Sequence, residues 1–100
     1  MQLFISQPMR DKTDEEILEE RNRIIDTVQD KYPEHDIEVI DSFMQGVPHD
    51  AKPLWFLGKS LQYLADADIV YFAKGWQEAR GCRIENQCVK EYGIKFIEEN

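Results

Sequence analysis

The continuous apolar run Ile69-Val70-Tyr71-Phe72-Ala73 limits this chain's fold more than any other feature. Five successive apolar residues without alternation describe a strand buried on both faces, as in the middle of a parallel sheet covered by helices. Shorter apolar runs flank it at Leu3–Ser6, Ile37–Asp41 and Ile94–Ile97, and helical patterns fill the intervals. The first helix is expected from an N-cap at Thr13, with Glu16 completing a capping box, to about Tyr32, and Pro33 stops it. Its apolar positions Ile17, Leu18, Ile24, Ile25 and Val28 keep helical spacing. The second is expected over Leu54–Ala65, with Leu54, Leu57, Gly58, Leu61 and Leu64 facing inward. The third runs through Ala79–Gly93 and closes on a glycine.

Strands alternating with helices over short connections imply a parallel α/β sheet with right-handed crossovers. The expected architecture is one small three-layer, flavodoxin-like (Rossmann-like) domain over residues 1–100, with four strands in the order 2-1-3-4. A loop of about a dozen residues, Ser42 to Pro53, interrupts the pattern, and loops of that length are often functional.

In the third helix, Gly81, Ile84, Cys88, Val89 and Tyr92 are assigned by helical spacing to an apolar face, and Arg83, Gln87 and Lys90 to the opposite one. Glu85 falls in the middle of the apolar face. A charge there is costly unless it is paired, protonated or opening into a cleft. A structural ion pair is the plain reading, and a functional carboxylate is the favoured one. Arg21 has the same peculiarity on the first helix, and a structural role is expected for it, snorkelling or pairing with a buried acid such as Asp41. A subunit contact or a substrate phosphate is the alternative.

Ligands of parallel α/β sheets bind at the carboxyl ends of the strands, where the strand order reverses. The order 2-1-3-4 places that point between the first and third strands. Ser6, Gln7, Pro8, Met9 and Arg10 are then gathered with Asp41, Ser42 and Phe43 and with Lys74, Gly75 and Trp76, beneath Glu85. Arg10 and Arg80 are candidates for an anion site, aided by the free N–H groups of a helix start. Lys74 is similarly placed, Arg83 is expected on the surface, and Trp76 either offers a face for a nucleobase or, like Phe43, covers the crevice or a subunit contact.

The remaining candidates are excluded on spacing. Cys82 and Cys88, six residues apart on one helix, have Cα atoms roughly 9 Å apart, too far for a disulfide. Both read as small core residues of a reducing compartment, and no metal or cofactor is expected. His35 and His49 lack partners at catalytic spacing and are assigned to the surface, while Asp66 and Asp68 are assigned to turns and caps. Trp55, at a helix start, is assigned to a cover or a subunit contact. A net charge of −8 argues against a nucleic-acid polymer, which needs a basic face, but leaves room for one nucleotide. The amino-terminal residues do not read as a signal peptide, and no stretch is long enough to span a membrane. A cytoplasmic location is expected. A narrow sheet also suggests a dimer or larger homo-oligomer.

Two segments carry a resemblance. Ser60-Leu61-Gln62-Tyr63-Leu64-Ala65-Asp66-Ala67-Asp68-Ile69-Val70 and Gly81-Cys82-Arg83-Ile84-Glu85 resemble nucleoside 2-deoxyribosyltransferases and the related 2′-deoxynucleoside 5′-phosphate N-hydrolases. The opening Phe4-Ile5-Ser6-Gln7-Pro8-Met9 is similar to their first strand and turn. With Gly75-Trp76 and Ala79-Arg80-Gly81-Cys82 up to Glu85, the chain also resembles a family of short bacterial and phage proteins of unknown function in the same superfamily. The resemblance implies that Glu85 is the nucleophile at an anomeric carbon and that Gly81 belongs to the substrate site; Ser6, Gln7 and Ser60 are then expected to orient the sugar. The superfamily's two site aspartates are replaced by Ser60 and Ala79 in this chain. The expected function is transfer or hydrolysis at the N-glycosidic bond of a deoxynucleoside or its monophosphate; the alternative is a non-catalytic module that binds a nucleotide or nucleotide-derived ligand.

Overall fold

In the computed structural model, residues 1–42 and 50–100 are described. Phe43, Gly46, Pro48 and His49, and with them most of the expected Ser42–Pro53 loop, lie outside the described residues. Four strands, β1 (Gln2–Ser6), β2 (Glu38–Val39), β3 (Ile69–Phe72) and β4 (Lys95–Glu98), alternate with three helices, α1 (Asp14–Lys31), α2 (Pro53–Leu64) and α3 (Arg80–Glu91). All strand pairs are parallel and the order is β2-β1-β3-β4. The fold class and the strand order are those expected from the alternation of apolar runs.

The central pair runs in register from Leu3 beside Ile69 to Ser6 beside Phe72. Because strand side chains alternate between faces, odd and even positions serve different layers. Leu3, Ile5, Ile69 and Tyr71 pack with Ile24 and Val28 of α1. Phe4, Val70 and Phe72 pack on the other side with Leu64 of α2 and Val89 of α3. This alternation positions the site, since it sends Ser6 toward α3 and Gln7 toward α1.

The helix starts obey local chemistry. Thr13 accepts from the Glu16 N–H and Glu16 accepts from the Thr13 N–H, so the expected capping box is formed. Pro53 opens α2, where its missing N–H costs nothing. After α3, Gly93 adopts the left-handed φ of 68° that a C-terminal glycine supplies cheaply.

Four details differ from expectation. β2 spans only Glu38–Val39, although Ile40 still donates to the Leu3 carbonyl at 2.8 Å. A 3-10 turn, Trp76–Glu78, precedes α3. On α2 only Leu64 is buried; Leu57 and Leu61 are half-buried, and Leu54 is 78% exposed. On α3 the buried residues are Cys82, Glu85, Asn86 and Val89, so the inward stripe is rotated from the expected one; Ile84 is only half-buried and Tyr92 is exposed. Asn86 is accommodated because its amide donates to Glu98 Oε2 at 2.8 Å. Among the described residues, no helix is long and apolar enough to cross a membrane.

Candidate functional site

Glu85 is 7% exposed, at the centre of the buried stripe of α3. The Ser6 hydroxyl, at the carboxyl end of β1, donates to Glu85 Oε1 at 2.7 Å. Ser60, from α2, also stabilises the ionised carboxylate through its hydroxyl. Burial works against both and dominates, so the Glu85 pKa is raised above the ordinary carboxylate range. Among the described residues no cation stands within ion-pair distance of Glu85. The structural ion pair expected as the plain reading of this residue is thus not found among them.

One turn before Glu85, Cys82 is also buried. Burial, with the nearby Glu85 charge adding to it and a Ser6 hydrogen bond opposing, pushes its thiol up to about 11. The thiol is therefore protonated at neutral pH and is a poor nucleophile. Among the described residues, no cluster of His, Cys, Asp and Glu is arranged to hold a metal ion.

Behind Ser6, the Gln7 amide is held from both ends. Its Oε1 accepts from Arg21 Nη1 at 2.9 Å, and its Nε2 donates to Glu20 Oε1 at 2.9 Å and to the Ile17 carbonyl at 3.3 Å. Arg21, 5% exposed, uses Nη2 on the Ile40 carbonyl and the Ser42 hydroxyl. Its guanidinium pKa is lowered by burial and partly restored by the charge of Asp41. The expected direct pairing with Asp41 is corrected: Asp41 is exposed and acts at longer range, while neutral acceptors hold the guanidinium. Arg21 thus ties the end of β1 to the end of β2.

An open cleft of roughly 810 Å³ lies beside this network, at the carboxyl ends of β1 and β3. Pro8, Met9, Arg10, Lys74, Gly75, Arg80 and Gly81 line it, so seven expected site residues are brought together. Gly75 has a φ of 86°, and a Cβ there would sit 3.7 Å from Pro8 Cγ, so the turns after β1 and β3 meet closely. Lys12, Glu78, Ala79 and Arg83 also line the cleft. Arg83, expected on the outer surface, is exposed yet reaches it, with Nη1 donating to the Gln77 carbonyl at 2.9 Å. Its long stem explains the difference, since a helical wheel places the Cβ and not the charge.

Glu85, Ser6, Gln7, Asp41 and Ser60 do not line this cleft. Buried Ser6 and Glu85 and half-buried Ser60 form their own group a turn of α3 away. Trp76 is placed differently from a free stacking platform. Its ring packs on Phe72 with centroids 5.5 Å apart, and Lys90 Nζ lies 6.0 Å from its centroid. Its buried Nε1 has no hydrogen-bond partner among the described residues. His35 is exposed, and Asp68 accepts from the Gln2 N–H at 2.7 Å in a turn role.

No family model, curated protein or solved structure matches the chain. What the site can do follows from its geometry. A buried carboxylate held by hydroxyl donors is fixed in orientation and poorly solvated, which suits attack on an electrophilic carbon once it is ionised. The adjacent cationic cleft suits an anionic group on the same ligand.

Proposed function

We propose that the protein acts on the N-glycosidic bond of a nucleoside or nucleotide, with Glu85 as the nucleophile at the anomeric carbon. The observation that carries this reading is the buried Glu85 carboxylate, oriented by Ser6 at 2.7 Å and lacking a cationic partner among the described residues. Such a group raises the folding cost of the chain, and a covalent step gives it a purpose. In that step Glu85 Oε forms a bond to C1′ as the bond from C1′ to the base nitrogen breaks. The base leaves with its electron pair and takes up a proton from solvent. Water, or a second base, then attacks C1′, releases a proton to solvent and frees the Glu85 carboxylate as the ester bond breaks. Ser6 positions the carboxylate, and the Gln7–Arg21 network behind it fixes the end of β1.

The resemblance to deoxyribosyltransferases and N-hydrolases agrees with this assignment, and Ser60 stands where their sugar-binding aspartate is expected. That replacement favours a second reading, a pocket that binds a nucleotide-derived ligand without reaction, because Ser60 already serves Glu85. A homo-oligomer remains part of the proposal; sedimentation of the purified chain reads it directly.

Chromatography of deoxynucleosides and their 5′-monophosphates incubated with the protein tests the enzyme reading. Free base released by wild type and lost in Glu85→Gln supports it. A folded wild type that binds a nucleotide but releases no base from any of them supports the second reading instead.

A further inference from the structure

The cleft gathers charge in a way the chain as a whole does not. Five of the chain's 12 Lys and Arg residues, Arg10, Lys12, Lys74, Arg80 and Arg83, line it, against the single acid Glu78, in a protein with 20 Asp and Glu and a net charge of −8. Among the described residues, Arg10, Lys74 and Arg80 have no ion-pair partner, while Lys12 is 3.6 Å from Glu20. Like charges held together around an open space repel one another, and an anionic ligand relieves that repulsion.

The backbone adds donors at the same place. The N-cap of α3 is Ala79, whose side chain accepts nothing, so the first-turn N–H groups lack a side-chain cap beside the cleft. Arg80 and Gly81 of that first turn line the cleft directly. A single phosphate brings a charge of about −1.5 to −2, which is small beside five cations. A chain of two or three phosphates matches them better and is long enough to touch more than one wall.

We propose that this cleft binds the oligophosphate tail of a nucleoside di- or triphosphate, placing its sugar toward Glu85. The inference rests on the glycosidic reading for the position of the sugar and on the cation cluster for the class of ligand. Gly81, in the cleft, precedes Glu85 by one helical turn, about 6 Å along the axis. Glu85 itself does not line the cleft, so phosphates against Arg80 and Lys74 leave the sugar about one helical turn from the carboxylate.

The test uses Glu85→Gln, to keep ligands intact, and calorimetric titration with inorganic tripolyphosphate, a deoxynucleoside, its monophosphate and its triphosphate. The triphosphate is expected to bind at least tenfold more tightly than the monophosphate, to compete with tripolyphosphate and to weaken with added salt. Adding Lys74→Ala and Arg80→Ala, both exposed positions, is expected to remove the triphosphate's advantage and leave the nucleoside unchanged; Lys95→Ala on β4 serves as the control. Equal affinity for mono- and triphosphate, or a triphosphate advantage untouched by the cleft variants, overturns the inference. Base release by wild type separates the two proposals. Release from nucleosides with no gain from phosphates leaves Glu85 chemistry standing and the cleft assignment refuted. Cleft-dependent triphosphate binding without release from any substrate supports the ligand class and refutes the chemistry.

Discussion

Removing the Ser6 hydroxyl isolates the interaction that holds Glu85. Ser6 is fully buried and its bond to Oε1 is 2.7 Å long, within the range of hydrogen bonds strengthened by an ionised acceptor. Such bonds contribute about 1.5–3 kcal/mol, whereas bonds between neutral groups contribute about 0.5–1.5 kcal/mol. Ser6→Ala should therefore cost about 2 kcal/mol when Glu85 is ionised, a fall in Tm of about 8–16 °C for a domain of this size. In a Glu85→Gln background the bond is neutral and the same substitution should cost about 1 kcal/mol. Urea unfolding of wild type, both single variants and the double variant at mildly alkaline pH gives a coupling energy of about 1 kcal/mol, which should shrink as the pH is lowered and Glu85 takes up a proton. An equal cost of Ser6→Ala in both backgrounds, at every pH, would refute the reasoning.

Glu85 also sets a pH dependence of stability. Its folded pKa is raised, so the folded state binds the extra proton and stability falls as pH rises from the ordinary carboxylate value through the raised one. Glu85→Gln should flatten that descent and leave the variant more stable than wild type above the window, as read by urea unfolding against pH. Arg21→Met should strand Gln7, the Ile40 carbonyl and Ser42, at a cost on the order of 3 kcal/mol in urea unfolding, and Arg21→Lys should rescue little because one amine does not reproduce the planar fork. Cys82, buried with its thiol pushed up to about 11, should resist alkylation in the folded protein while the less buried Cys88 reacts first, as peptide mapping after iodoacetamide will show. Phe72→Ala should cost about 3–5 kcal/mol by calorimetry, since the ring is fully buried between β3 and the α2–α3 layer.

The sheet was legible because its signal is strong and repeated. An unbroken apolar run marks β3, and each neighbouring run is separated from it by a helix with recognisable ends. The carboxylate was legible for a related reason: Glu85 remains on the buried stripe whether α3 is centred on Ile84 and Cys88 or on Cys82 and Asn86. The exact rotation of α3 was not legible, because hydrophobicity assigns Tyr92 to the core and gives no reason to bury Asn86, whose partner comes from Glu98 on β4. A wheel contains one helix and cannot register a hydrogen bond from another strand. The partner of Arg21 shows the opposite case. Strand parity places Gln7 on the α1 side once Ser6 is placed toward α3, so the Gln7–Arg21 contact had a usable signal that charge pairing with Asp41 obscured. Sequence position leaves Trp76 open between a stacking face and a cover; the 3-10 turn decides it by folding the ring back onto Phe72.

Covalent chemistry at Glu85 is most directly read by mass spectrometry of protein quenched with acid during incubation with the nucleotide that releases base fastest. The wild type should carry the mass of one sugar, with any phosphates attached to it, on the peptide containing Glu85, and Glu85→Gln should carry none. Base release from a protein whose Glu85 peptide stays unmodified, or undiminished release by Glu85→Gln, would contradict the assignment of Glu85 as the nucleophile.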